Sequence, residues 1–298
     1  MTPDLQGIRI AAVGGDARSL FYIPALLEAN ATVKAVGFEK AVKLIPCENV
    51  DLAEALVWAD VVILPMSGVG SDGTIAAQYA ERRLVLGPEN SVLIRPGTLV
   101  LSGVARPLLR QMAAERRWHL IEINAIDDLT ILNSIPSAEG AIQMAMEASD
   151  ITIHDSSSWV LGFGRVGITL ACMLDGLRSR VTVAARGSAD LARVKVFGYR
   201  AIPFSEIAYE IHDADFIFNT VPALVLPESL LQLTKPDLTI IDIASSPGGV
   251  DFAAAERLGR TAILAPSLPG KVAPRSAGRT LGELLPRIIK QHLEGRNH

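Results

Sequence analysis

Short apolar runs alternate along the whole chain with segments whose apolar residues recur every third or fourth position. In the first half the runs fall at residues 8–13, 33–37, 61–64, 84–86, 99–101 and 119–123, with helix-period segments at 19–28, 52–57, 74–82 and 107–116. Runs this short and this continuously apolar predict strands buried on both faces, the condition of a parallel sheet covered by helices. A second series at 159–163, 181–185, 200–202, 216–219, 239–243 and 262–264 has the same layout without an evident sequence repeat. The pattern therefore predicts an α/β chain built of two doubly wound, Rossmann-like parallel-sheet domains.

Between the two series, NSIPSAEGAIQMAMEAS (residues 133–149) predicts a bridging helix. A Pro136-Ser137 cap would open it, and Ala141, Ile142, Ala145 and Met146 are spaced for one buried face. After the second series, APRSAGRTLGELLPRIIKQHL (residues 273–293) predicts a closing helix, with Pro286 as its kink point, that returns to the first domain. The expected division is a flavodoxin- or Rossmann-like substrate-side domain of residues 1–135 plus 273–298, and a cofactor domain of residues 136–272. A cleft between them is the expected place for ligand.

Composition narrows the partners. A chain of 298 residues can bury two cores, and 49% hydrophobic with 20% charged residues is a globular balance without disorder. Net charge is −4 with no block of Lys and Arg, which argues against nucleic acid. No apolar run reaches membrane-spanning length and the N-terminus lacks a leader pattern, so a cytoplasmic protein without membrane contact is expected. A homo-oligomer stays open. Cys47 and Cys172 are the two cysteines, too few for a disulfide framework or a thiolate metal cage, and they read as small buried apolar residues. No metal site is expected.

VLGFGRVG (residues 160–167) carries the clearest chemistry. It follows an apolar run and precedes ITLACMLDGL, which has helix periodicity. In that context Gly162 permits a tight turn, Gly164 lets backbone approach a diphosphate, and Gly167 allows close helix-to-strand packing. Main-chain amides from Phe163 through Arg165 and Val166 then face the anion at the helix N-terminus. An acidic residue about 20 positions beyond the first glycine would accept the ribose hydroxyls of NAD, but Ala184 stands there. AARGSADLAR offers Arg186, Ser188 and Arg193 instead, donors suited to the 2′-phosphate of NADP. The alternative has Arg186 stacked on adenine and Arg193 on a solvated helix face. Two loops, NTVP with Asn219, Thr220 and Pro222, and ASSPGG with Ala244 and Ser245, follow strands and are expected at the nicotinamide end, although their residues are also ordinary turn formers.

Further blocks carry a resemblance to a known family: GGDAR (residues 14–18), NSIPSAEG (133–140), TIHDSSSWVLGFGRVG (152–167), ARGSADLAR (185–193), NTVP, IASSPGGVDFAAAERLG (243–259) and APSLPGKVAPRSAG (265–278). Together they resemble the dipicolinate synthase A-subunit over essentially the whole chain. The resemblance implies a sporulation enzyme of the bacterial mother cell that acts with a smaller, flavoprotein-like B-subunit. Its reaction would take the cyclic product of the dihydrodipicolinate synthase step to pyridine-2,6-dicarboxylate, with NADP as hydride acceptor. Two positions depart from the pattern: Asp155 and Ser267 stand where glycine is usual.

Such a reaction needs a hydride acceptor, a proton acceptor and cations for two carboxylates, with acid-base help if a hydroxylated precursor is dehydrated. Arg18, Lys271 and Arg275 are the candidate carboxylate binders, against the reading that each is a solvated charge, and Ser67 and Ser137 are candidate neutral donors. His154, Asp16 and Glu139 are the acid-base candidates; each also has a plain role, in the linker, in a turn and at a helix dipole. The two-domain layout is also that of the 2-hydroxyacid dehydrogenases, but the stretch from Asp213 to Gln291 holds no histidine to take a hydroxyl proton. A nucleotide-loaded scaffold for the flavoprotein partner is the non-enzymatic alternative.

Overall fold

The computed structural model describes residues 3–294, which divide into two compact units, 3–132 with 274–294, and 133–273. The last four residues, including His298, lie outside the described residues. In unit one, strands β1 (Arg9–Val13), β2 (Thr32–Val36), β3 (Glu48–Asn49) and β4 (Val61–Ile63) alternate with helices α1 (Ser19–Glu28) and α2 (Leu52–Trp58). A two-stranded antiparallel ribbon, β5 (Thr74–Ile75) with β6 (Leu84–Val85), follows. Then come α3 (Pro88–Ser91), β7 (Leu99–Ser102), α4 (Pro107–Arg116) and β8 (His119–Glu122). The main sheet is parallel throughout, in the order β3-β2-β1-β4-β7-β8. Helix α4 obeys local rules at both ends: Pro107 enters at its first turn and Arg117 leaves it in the left-handed region at φ 58°.

Two expectations fail in unit one. Residues 84–86 do not join the main sheet, and residues 74–82 form no helix. The Ala-rich segment is extended because its backbone is committed elsewhere: the Gly15 N–H donates to the Ala76 carbonyl at 2.7 Å, and the Gln78 N–H donates to the Gly15 carbonyl at 2.9 Å. Pairing with a distant loop overrides helix propensity here.

Helix α5 (Asp127–Glu147) begins well before Pro136. Asp127 and Asp128 supply first-turn negative charge, favourable at a helix N-terminus, and Pro136 lies inside the helix. The expected Pro136-Ser137 cap is therefore wrong. The Ser137 hydroxyl donates to the Asn133 carbonyl at 2.8 Å, a back-bond within the helix. Ala141, Ile142 and Ala145 are buried as their spacing predicts, but Met146 is 57% exposed.

Unit two holds β9 (Ser157–Leu161), α6 (Arg165–Gly176), β10 (Arg180–Ala185), α7 (Ser188–Val196), β11 (Arg200–Pro203), α8 (Ile207–Glu210) and β12 (Phe216–Asn219). It continues with α9 (Glu228–Leu231), β13 (Thr239–Asp242), α10 (Phe252–Arg257), β14 (Thr261–Leu264) and α11 (Leu268–Val272). Its parallel sheet runs β11-β10-β9-β12-β13-β14, the 3-2-1-4-5-6 order of dinucleotide-binding sheets. The strand order reverses between β9 and β12, so a crevice is expected where those two strands end. Trp159, Phe216 and Phe218, all fully buried, fill the two faces of this sheet.

The last helix, α12 (Pro274–Glu294), belongs to unit one and runs on through Pro286. Leu281, Leu285, Ile288 and Ile289 are buried against Tyr22, Ile23 and Leu26 of α1. At ~1.5–3 kcal/mol for each large apolar side chain, that face contributes on the order of 10 kcal/mol to docking. Gly278 makes the approach possible: a Cβ there would stand 2.5 Å from the Arg18 carbonyl oxygen.

Candidate dinucleotide site

Both units place a glycine turn at the carboxyl end of their first strand, and their surroundings separate them. In unit one, Gly14 and Gly15 have φ of 61° and 109°, but the segment through Ala76 lies against them. A Cβ at Gly14 would meet the Ala76 carbonyl oxygen at 2.6 Å, and Gly15 pairs with Ala77 as an isolated β-bridge. Backbone thus occupies the space a diphosphate would need.

The unit-two turn is open. Gly162, at φ 96°, leaves β9 so tightly that a Cβ would stand 2.5 Å from Thr220 Oγ1. Gly167 lies where a Cβ would stand 2.2 Å from the Gly162 carbonyl oxygen, which is the close helix-to-strand contact. Around Gly164 nothing comes within 4 Å of the same construction. Gly164 is also the N-cap of α6 and no side chain caps it, so the first turn of a 12-residue helix faces that free space. This combination of crowded, open and crowded glycines is what a diphosphate-binding turn requires. Phe163 contributes backbone only, because its ring is 5% exposed and meets Phe197 edge-on at 5.8 Å. Arg165 and Val166 form the first turn of α6, with Arg165 exposed.

On the side expected for adenine, β10 ends at Ala184 and Ala185, and Arg186 and Ser188 follow, exposed, at the start of α7. Arg193 lies a turn later and its Nη1 donates to Asp190 Oδ1 at 2.9 Å, an exposed ion pair. Arg186 and Ser188 are therefore the uncommitted donors. On the other side, Thr220 Oγ1 donates to the Leu161 carbonyl at 2.8 Å and abuts the turn, while Pro222 and Ser245 are exposed and Ala244 is buried. Asn219, expected to line the nicotinamide end, has no exposed surface and spends its amide within the protein.

The structure does not bring the acid-base candidates together. His154 is exposed in the loop before β9, whereas the glycine turn follows β9. Five residues at ~3.3 Å each put roughly 16 Å between them. Glu139 is exposed on a groove with Met173, Gly176 and Leu177, at the far end of α6 from Gly164. Asp16 belongs to unit one, paired with Arg18: Nε donates to Oδ1 at 2.9 Å and Nη2 to Oδ2 at 2.6 Å. Burial pushes the Asp16 carboxyl up, but the bonds and charge of Arg18 outweigh it and hold the group below the ordinary carboxylate range. Arg18 is itself buried, at 6% exposure, so its fork is taken by Asp16 rather than offered to a ligand. Ser67 is exposed and its carbonyl accepts from Arg106 at 2.7 Å; Ser137 spends its hydroxyl inside α5; Lys271 and Arg275 are exposed.

Asp155 and Ser267 adopt φ of 60° and 61°. The two departures from the expected glycines thus sit at left-handed backbone, where a side chain is strained. The cysteines also depart from expectation: Cys172 is exposed on α6, where Tyr199 donates to its Sγ at 3.4 Å, and Cys47 is half-buried, with burial pushing its thiol up to about 11. Sequence reasoning missed Asp242, fully buried at the end of β13 and bonded to Asn219. A carboxylate closing the apolar run TIID was the available signal. A cavity of about 730 Å³ lined by Arg180, Arg200 and Lys235 opens at the amino ends of the strands, away from the switch point. Among the described residues no cluster suits a metal ion and no helix is long and apolar enough to cross a membrane.

Comparison with known proteins gives a consistent set of likenesses. Residues 9–124 match the family model described as the dipicolinate synthase A-subunit N-terminal domain. The dipicolinate synthase A-subunit of Bacillus subtilis (strain 168) is 36% identical over 298 residues, 96% of this chain and 97% of that protein. A crystal structure of the dipicolinate synthase A-subunit from Bacillus halodurans is 36% identical with a TM-score of 0.92, covering 96% of this chain and 99% of its own. A transhydrogenase from Sinorhizobium meliloti shares the fold, with a TM-score of 0.71 at 14% identity over 96% of this chain and 94% of its own.

Proposed function

The chain belongs to the dipicolinate synthase A-subunit family, and from that membership we propose that it oxidises a cyclic dihydropyridine dicarboxylate to pyridine-2,6-dicarboxylate. NADP is the acceptor, a smaller flavoprotein-like B-subunit is the partner, and the setting is the mother cell of a sporulating bacterium. Where the precursor arrives hydroxylated, dehydration precedes oxidation.

The ring loses one hydride and one proton, so two electrons leave with the hydride and aromaticity drives the change. With its diphosphate at the glycine turn, the dinucleotide would supply the hydride acceptor through its nicotinamide. The observation that carries this reading is the open space at Gly164 between the crowded positions of Gly162 and Gly167. Amides of Phe163, Gly164, Arg165 and Val166 hold the diphosphate at the α6 N-terminus. Arg186 and Ser188 take the 2′-phosphate, with Arg193 joining once it leaves Asp190. Thr220, Pro222, Ala244 and Ser245 border the ring end. Asp16, His154 and Glu139 stay the acid-base candidates, with Arg18 holding the Asp16 carboxyl below the ordinary carboxylate range. Lys271, exposed in unit two, is the candidate there for holding a substrate carboxylate.

Purified chain supplied with NADP and freshly made cyclic precursor, with and without the B-subunit, tests the reading through the ultraviolet absorbance of the aromatic diacid. Product is expected in at least one arm. Its absence from both would remove the proposal. Arg186→Ala is expected to weaken NADP about tenfold and leave NAD unchanged; equal effects on both would return the choice of cofactor to open.

A further inference from the structure

Two loops leave the carboxyl edge of the second sheet side by side, residues 220–226 after β12 and 244–250 after β13, and they are bonded into one body. Both oxygens of the buried Asp242 carboxylate accept hydrogen bonds: Oδ1 from Asn219 Nδ2 at 2.9 Å and from the Ala244 N–H at 3.0 Å, Oδ2 from the Gly249 N–H at 2.7 Å. Asn219 serves its own loop as well, donating from Nδ2 to the Val221 carbonyl at 3.0 Å and accepting at Oδ1 from the Val221 N–H at 3.0 Å. The Gly249 carbonyl then accepts from the N–H groups of Val225 and Leu226, each at 2.9 Å. No room is left between the loops: a Cβ at Gly249 would stand 2.4 Å from Asn219 Nδ2 and 2.7 Å from the carbonyl oxygens of Val221 and Ala223. Neither loop can shift without breaking bonds to the other.

The same bonds describe a charge. Accepting at both oxygens from N–H donors is the pattern of an ionised carboxylate, and none of those donors is a cation. A negative charge held by dipoles in a dry interior keeps a field that a salt bridge would cancel. Asp242 ends the second strand over from β9, on the same carboxyl edge of the sheet as the switch-point crevice.

We propose that the Asn219–Asp242 pair is a positioning and charge-selecting device for the cofactor. It fixes both loops as one wall at the nicotinamide end, and its carboxylate favours the oxidised, positively charged ring over the reduced, neutral one. The effect is directional for an enzyme that consumes the oxidised form, because it speeds exchange of spent for fresh cofactor. It rests on the dinucleotide reading of the glycine turn.

The test is the ratio of dissociation constants for NADP⁺ and NADPH, measured by calorimetry on the full chain. Asp242→Asn is expected to weaken NADP⁺ on the order of tenfold more than NADPH, a split that loss of packing alone does not produce. Gly249→Ala keeps the charge and disturbs the wall, so it is expected to weaken both forms alike with the ratio preserved; if Asp242→Asn does not fold, wild-type chain that binds NADPH as tightly as NADP⁺ overturns the charge selection. A wild-type ratio in Asp242→Asn overturns the charge selection, and wild-type affinities in Gly249→Ala overturn the wall. Wild-type chain that binds neither form overturns the cofactor reading itself, and this device with it.

Discussion

Alanine at Gly164 and alanine at Gly167 are expected to fail in opposite ways, although the positions are three residues apart. At Gly167 the added methyl carbon would stand 2.2 Å from the Gly162 carbonyl oxygen, roughly 1 Å inside van der Waals contact, and both sides of the clash are backbone. Relief requires moving α6 away from β9. Overpacking of this kind costs about 1–3 kcal/mol or more, and the ~1 kcal/mol that alanine gains over glycine inside a helix offsets only part of it. A net loss of about 1–2 kcal/mol lowers Tm by roughly 3–8 °C for a unit of this size. At Gly164 nothing lies within 4 Å and φ is −88°, which alanine adopts freely, so stability changes by less than ~1 kcal/mol, mostly through the poorer N-cap. That methyl points into the space assigned to the diphosphate, so NADP affinity falls at least about tenfold with Tm nearly intact. Thermal melts paired with calorimetric titration separate the two. Wild-type affinity in Gly164→Ala, or a wild-type melt in Gly167→Ala, would refute the assignment of roles to these glycines.

Two further outcomes are expected. Ser267→Gly, and to a smaller degree Asp155→Gly, should raise Tm, because each relieves a left-handed residue of about 1 kcal/mol of strain against a smaller entropic loss; a fall in Tm at Ser267 would contradict it. Asp60 has its carboxyl held below the ordinary range, chiefly by the hydrogen bond from Arg9 against an opposing effect of burial, with Arg95 also bonded. A group lowered on folding stabilises fully above its unfolded pKa near ~3.9 and loses that contribution as pH falls through the folded value. The denaturation midpoint should therefore drop as pH falls below about 4, and Asp60→Asn should flatten that slope; an unchanged slope would show that the pair does not contribute.

How much was readable depended on the range of the interactions. The six strands of the second sheet were legible to within about two residues because a buried parallel strand is a local apolar run. Likewise α4 announced its start through Pro107, a residue favoured in the first helical turn. Residues 74–82 misled, since their Ala-rich pattern is helical by propensity while their backbone is held by Gly15, some sixty residues away. His154 was placeable from sequence after all: it precedes β9, the glycines follow it, and a strand separates its two ends. The Asn219–Asp242 pair was not, because one asparagine and one aspartate closing apolar runs look like turn formers until the register of β12 with β13 sets them side by side.

By itself the sequence determined the fold class, the position of the glycine turn and the family, since period, glycine spacing and long matching blocks are properties of residues near one another in the chain. Tertiary structure alone decided which of two glycine turns is open, that Arg18 is spent on Asp16, and that a buried carboxylate binds two loops into one wall. Those outcomes turn on which atoms fill a given space, and segments far apart in the chain supply them.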